Sequence, residues 1–183
     1  ASTFISDGGT FGTADAAVDI TLNGGVLQVV DDTIAEVANN GGMVTVLTGQ
    51  TLTGDFTSTN VAAATSIAGQ IDGSVAITAG AVTLEANAGG GVGIKGDVTA
   101  DGTDSTLTVN SGTGVSGLVT LTNDALLDIN GAVNLDLVNN SPNTPLTIDA
   151  ADTIIGSVTT DNGTTTNAGI INGVVTTNNG TMT

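Results

Sequence analysis

Acidic side chains are the residues of this 183-residue chain whose type and spacing offer chemistry, since 18 Asp and Glu stand against a single basic residue, Lys95, with no His and no Cys. The densest group is Asp97, Asp101 and Asp104, and the last two bracket the oxygen-rich segment Asp101-Gly102-Thr103-Asp104-Ser105. Calcium takes roughly six to eight oxygens from carboxylates, carbonyls and water, several of which a turn of this kind supplies. Asp97, Asp101 and Asp104 are therefore the candidate metal ligands, and calcium the candidate cofactor. Their spacing departs from the EF-hand loop and from the Gly-Gly-x-Gly-x-Asp repeat of calcium-binding β-rolls. The stretch Gly89-Gly90-Gly91-Val92-Gly93 has the glycines without the Asp. A solvated turn accounts for the same segment with no metal.

Two further acidic pairs, Asp31-Asp32 and Asp149/Asp152, have the residue types of glycoside hydrolysis, which uses two carboxylates. Such sites also draw on Arg, Lys or His, with aromatic rings to hold the sugar. Here the aromatics are Phe4, Phe11 and Phe56, with no Trp and no Tyr. Turn and cap roles fit these pairs better, and no catalytic residue is assigned. A Ser nucleophile has no His partner, and the Gly-rich stretch lacks the Lys-Ser/Thr ending of a phosphate loop. The expectation is a protein that is not an enzyme. A net charge of −17 removes nucleic acid as a partner, because phosphate neutralisation needs Lys or Arg. Attraction to an anionic membrane surface fails for the same reason, and no apolar run is long enough to insert as a helix. Asn139-Asn140-Ser141, Asn162-Gly163-Thr164 and Asn179-Gly180-Thr181 match the glycosylation sequon, as chance allows in so Asn- and Thr-rich a chain. Lys95 reaches either solvent or Asp97.

The elements that must position these residues are short strands. The frame Ile129-Asn130-Gly131-Ala132-Val133 recurs at Ile71–Val75, Ile94–Val98, Val115–Val119, Ile154–Val158 and Ile171–Val175, always apolar-x-Gly-x-Val. Positions i, i+2 and i+4 of a strand share one face, which points Ile, Gly and Val inward. The glycine spares volume where neighbouring layers crowd, or marks a bend. The frame returns about every 20 residues, irregularly, and one such strand cannot bury its own apolar edge, so it must stack on its copies. A second strand follows it at Val82-Thr83-Leu84, Leu107-Thr108-Val109, Leu135-Asp136-Leu137 and Leu146-Thr147-Ile148. Turns are expected at Asn87 to Gly91, Asp101 to Ser105, Asn139 to Asn143 and Asp161 to Asn167. Nearer the N-terminus, Asp7-Gly8-Gly9 reads as a turn. Val18 to Leu22 and Val26 to Val30 read as strands, forming a hairpin or two sides of a coil. Asp32 to Ala38 is the one segment with helical character, with a strand as its alternative.

These features predict an all-β parallel β-helix, or β-solenoid, of roughly nine coils stacked about 4.8 Å apart; a β-sandwich is the alternative. Residues 67–183 carry the repeated coils, and residues 1–66 form a β-rich region continuous with the same solenoid. With 39% hydrophobic residues and a mean hydropathy of +0.33, the chain has enough aliphatic material for the core. Ala1-Ser2-Thr3 suits a mature chain or an excised segment, and Asn178 to Thr183 stops within repeat-like sequence.

Recurrent Ile-x-Gly-x-Val followed by Leu-Thr-Val or Leu-Thr-Ile, in a Thr/Asn/Gly/Ala background, resembles the passenger regions of bacterial autotransporters, most nearly the rickettsial surface-antigen and surface-layer type. The resemblance covers residues 67–183, and residues 1–66 more faintly. It implies a right-handed β-helix displayed outside a Gram-negative cell and acting in surface-layer formation or adhesion. The expected function is thus a structural, self-assembling protein of a bacterial cell surface, with copies of itself as partner. The second reading is an adhesin or fibre-type module that holds a host-surface receptor or a cell-wall glycan.

Overall fold

The structure, a computed structural model, describes residues 3–6, 12–13, 17–86 and 91–183. The turn at Asp7-Gly8-Gly9, Phe11, the start of the Asn87 cluster and the Gly89-Gly90 part of the glycine-rich stretch lie outside the described residues. Among the described residues there are 19 strands and no helix. The strands stack in parallel as a β-solenoid of about 9 turns, so at about 4.8 Å per coil the rod is roughly 40 Å long.

Each coil runs along three rows of strands. The second row is unbroken: Val18–Leu22 pairs with the end of Thr33–Asn39, and the ladder continues through residues 56–58, 75–77, 98–100, 119–122, 137–140, 158–160 and 175–177. The first row holds Thr51–Thr53 on Gln70–Asp72, the single bridges at Ile94 and Val115, and Thr153–Ile155 on Ile170–Ile171. The third begins with Thr3–Ser6, Val26–Val29 and Met43–Val46, then takes residues 64–67, 81–84, 106–109 and 126–130. Val18–Leu22 and Val26–Val29 are therefore two sides of one coil and not a hairpin. Phe56–Ile67 runs through residue 66 as one strand, with its register shifting at Ser58/Thr59 and Thr59/Ala64.

Thr33–Asn39 is a strand with strict alternation of burial, so the helical reading of Asp32 to Ala38 is overturned. A strand buries Ala35 and Val37 and places Asn39 inside. A helix would have left the coils on either side without a ladder partner. The clusters Asn139 to Asn143 and Asp161 to Asn167 are also not free turns. They lie within Ala132–Ile148 and Val158–Asn167, where the register shifts at Asn139/Asn140 and Ser141/Leu146 bend the strand round a corner.

One continuous hydrophobic column, aliphatic but for Phe56, fills the rod, with Leu27, Leu52, Phe56, Ile71, Ile77, Leu84, Ile94 and Leu107 fully buried. Five copies of the frame occupy one corner of the coil. Ile71, Ile94 and Val115 pair in succession, as do Ile154 and Ile171, and the Val ends form a single row from Val75 to Val175. Ile129–Val133 does not belong with them. Ile129 pairs with Val109 in the third row, and Val133 pairs with Ile154 in the first, so this copy spans a different corner. The segment stacked on Ile154 to Val158 is Val133 to Leu137, whose Leu137 was expected in a following second strand. A variant of the frame, Leu52-Thr53-Gly54-Asp55-Phe56, and the glycine-free segment Thr33-Ile34-Ala35-Glu36-Val37 sit in the same corner.

The inward assignment of the frame glycine is also revised. Ile and Val point into the core in the copies from Ile71, Ile94, Val115 and Ile154, while Val175 of the last copy is exposed; the glycine is partly or fully exposed at the bend. A Cβ at Gly96 would lie 2.4 Å from the Gly73 carbonyl oxygen, one at Gly117 2.5 Å from that of Gly96, and one at Gly173 2.0 Å from that of Gly156. Glycine stands there because the backbone of the preceding coil fills the side chain's place.

Candidate functional site

The acidic residues are explained by the corners where the ladder tears. At the frame corner, the amide after the glycine bonds a carboxylate of the preceding coil in three copies. Asp55 Oδ1 accepts from the Ser74 amide at 2.8 Å, Asp97 Oδ1 from Leu118 at 2.8 Å, and Asp136 Oδ1 from Ser157 at 2.6 Å. The carboxylate of one coil thus closes the bend of the next, in alternate coils. Asp32 Oδ1 does the same for the Thr51 amide at 2.8 Å. Asp152, which is buried, accepts from the Gly131 amide at 2.9 Å and from the Asp149 amide at 3.1 Å. Asp149 and Asp152 are joined as a capped turn, carboxylate to backbone, which is the cap role expected of them.

The candidate metal ligands are not brought to one point. Asp97 and Asp101 lie at opposite ends of the strand that carries Val98–Asp101, roughly 13 Å apart at 3.3 Å per residue. A cation held at roughly 2.3–2.6 Å cannot reach both. Asp97 is engaged at the frame corner. At the next corner, Asp101 Oδ1 accepts from Thr122 Oγ1 at 2.8 Å and Asn123 Nδ2 at 2.7 Å. Asp104 is exposed in the turn, and its carbonyl accepts from the Gly80 amide at 2.8 Å. Among the described residues no group of three or more acidic side chains is placed to hold a metal ion. Lys95 pairs with Asp72 of the preceding coil, Nζ to Oδ2 at 2.8 Å, and not with Asp97. Both partners are close to half-exposed, so the pair contributes at most about 1 kcal/mol.

The second corner carries polar ladders along the rod. Asn40 donates to Asn23 and accepts from Thr59, Asn162 donates to Asn140, and Asn178 donates to Asp161. Just inside it, the buried column passes from Leu22 through Asn39, Ser58, Ile77, Ala100 and Leu121 to Asn139 and Thr160. Asn39 is fully buried. Its amide donates to the Gly42 carbonyl and Thr65, and its Oδ1 accepts from the Gly41 and Gly42 amides. Asn139 is equally buried and bonded inside the coil, so its sequon is closed to modification, whereas Asn162 and Asn179 are exposed.

Where the Asn139 to Pro145 segment leaves the register, it borders an open cleft of about 410 Å³ lined by Asp101, Thr122, Asn123, Asn140, Pro142 and Asn162. Asp124 fastens that segment from the coil before: Oδ1 accepts from the Asn143 and Thr144 amides at 2.8 and 3.0 Å, and Oδ2 from Asn143 Nδ2 at 2.8 Å. The Asn143 side-chain amide, with those backbone amides, holds the Asp124 carboxyl below its ordinary range. Asn123 and Asp124 reach this position in the left-handed region, at φ 50° and 67°, a conformation short polar side chains tolerate. Sequence reading missed the cleft, and the adjacent Asn-Asp pair was its only signal. The cleft offers one carboxylate, a hydroxyl and amides, a set suited to hydrogen-bonding a polar ligand.

No family model, no curated protein and no solved structure matches this chain.

Proposed function

We propose that the chain is a structural rod of a prokaryotic cell surface, displayed outside the cell and assembled with copies of itself into a layer or filament. The observation that carries this reading is how its polar residues are used. The carboxylates of Asp32, Asp55, Asp97, Asp124, Asp136 and Asp152 accept backbone hydrogen bonds that fix coil to coil. Such a chain devotes its reactive groups to stiffness and leaves function to its flat sides. Parallel ladders over an aliphatic column resist bending, because every coil is bonded to both neighbours. The resemblance to autotransporter passengers points the same way. Divalent cations such as calcium act in this reading by bridging the acidic rows of adjacent rods.

The test is negative-stain microscopy of the purified protein with and without millimolar calcium. Ordered sheets or filaments are expected. Dispersed single rods in both conditions would overturn the reading.

A second reading, an adhesin, rests on the cleft beside Asp101 and Asn162. Binding to host cells or to a cell-wall glycan that is lost on Asn162→Ala, in a protein that stays monomeric, would favour it.

A further inference from the structure

Six asparagines of this chain stand directly before a glycine: Asn23, Asn40, Asn130, Asn162, Asn172 and Asn179. With no Cβ on the following residue, nothing shields its amide nitrogen, which can close a ring on the asparagine side-chain carbonyl carbon. Ring closure needs a side chain free to turn and a backbone amide free of its hydrogen bond. The structure separates the six on both counts.

Three are held. Asn130 donates to Asn110 and Asp128, and the Gly131 amide is taken by Asp152. Asn40 donates to Asn23 and accepts from Thr59, while the Gly41 amide donates to Asn39 Oδ1. Asn162 donates to Asn140, and Gly163 lies within a strand against Ser141. Asn23 is held at one end, where it accepts from Asn40. Asn172 and Asn179 differ. Among the described residues nothing bonds either side-chain amide, nor the backbone amides of Gly173 and Gly180. Both asparagines are exposed. Asn172 stands in the outward frame position that Asp72 and Lys95 fill in earlier coils, so stacking of coils does not cover it. The carboxylate that closes this corner in three other places is also missing, because the residue stacked on Val174 is Ser157.

We propose that Asn172 and Asn179 are self-modification sites, which lose ammonia to form succinimides that open to aspartate and isoaspartate, while the polar ladders protect Asn40, Asn130 and Asn162. The glycine nitrogen gives its proton to solvent and attacks Cγ of the asparagine. The N–Cγ bond forms, the Cγ–Nδ2 bond breaks, and Nδ2 departs as ammonia with a proton returned by solvent. One water then adds to either ring carbonyl and opens it, so the net change is amide and water to carboxylate and ammonium. Each event adds a negative charge to a chain already at −17. Opening toward isoaspartate also puts an extra carbon into the main chain. At Asn172 that carbon enters a bend where even a Cβ on Gly173 would lie 2.0 Å from the Gly156 carbonyl oxygen. The bend has no room for it, and Val175–Thr177 is loosened from residues 158–160. The inference is independent of whether the rods assemble.

The experiment is a time course of the folded chain at mildly alkaline pH, read by peptic peptide mapping in a mass spectrometer, with the same chain in urea as reference. Amide-to-carboxylate exchange and isoaspartate are scored at all six sites. In urea the six should convert at similar rates, since each precedes glycine. In the folded rod Asn172 and Asn179 should stay within a few-fold of their urea rates. Asn40, Asn130 and Asn162 should fall at least about 10- to 30-fold below theirs, the effect of two hydrogen bonds that must first break. Asn140→Ala, which removes the partner of Asn162, should speed conversion at Asn162 and leave Asn172 unchanged. Conversion of Asn130 as fast as Asn172 in the folded chain would overturn the inference, as would Asn172 and Asn179 as slow as the ladder asparagines. Aspartate at Asn172 without isoaspartate would mean direct hydrolysis and would exclude the succinimide. An unchanged rate at Asn162 in Asn140→Ala would remove the protective role of the ladder.

Discussion

Replacing Gly96 with alanine isolates what the frame glycine does. A Cβ there would lie 2.4 Å from the Gly73 carbonyl oxygen, 2.6 Å from its carbon and 2.7 Å from the Ser74 nitrogen. All three are backbone atoms of the preceding coil, held by ladders on both sides, so no side chain can swing away. Contact at ordinary van der Waals distance requires the two coils to part by about 1 Å. Overpacking of this kind costs about 1–3 kcal/mol. The separation also stretches the Gly96 amide to Gly73 carbonyl bond, now 3.1 Å, which is worth about 1 kcal/mol. Reduced freedom of the unfolded chain returns about 0.4–1 kcal/mol, which leaves a net loss of about 2–3 kcal/mol. Gly49 is the control. It sits at φ +80° with nothing within 4 Å of the added carbon, so Gly49→Ala meets backbone strain alone and costs about 1 kcal/mol. Urea unfolding followed by far-ultraviolet circular dichroism measures both, since the chain has no Trp or Tyr to report by fluorescence. A Gly96→Ala loss within about 0.5 kcal/mol of the Gly49→Ala loss would refute the steric account.

Other consequences follow from the polar positions. Asn39→Ala strands the Gly41 and Gly42 amides and the Thr65 hydroxyl inside the rod, and should lower unfolding stability by about 2–4 kcal/mol in the same urea assay. Asp124 has a lowered carboxyl pKa, so its hold on Asn143 and Thr144 is complete at neutral pH. That hold is lost as pH falls below the ordinary aspartate value of about 3.9 and through the lowered one. Hydrogen exchange should show the Asn143 and Thr144 amides released in that acidic window in wild type, and already at pH 7 in Asp124→Ala. Lys95→Ala removes an exposed pair and should shift stability by less than about 1 kcal/mol.

The fold was legible because the aliphatic positions obey a period of two and recur once per coil, which suffices to place Ile71, Ile94 and Val75 inside. The same pattern was blind to corners. Ile129-Asn130-Gly131-Ala132-Val133 has the right residue types, yet it bridges the third and first rows. The true neighbour, Val133-Asn134-Leu135-Asp136-Leu137, lacks the glycine that would have flagged it. Correcting this copy evens the spacing of the coils. Thr33–Asn39 misled because Ile34, Val37 and Ala38 also fit a helical face, and only the neighbouring strands decide between the periods. The acidic residues were visible as a set but not in their role. Asp97 and Asp101 are close in sequence and look like one site, while each finds its partner about 20 residues later, in the next coil. The cleft was illegible for the same reason, since its walls come from four coils.

Self-assembly of the rod is the function proposed above. The most direct measurement is the Fourier transform of electron micrographs of concentrated, purified protein. Discrete reflections from a regular side-by-side repeat of rods are expected. Diffuse scattering from separate particles at every concentration, with and without calcium, would contradict it.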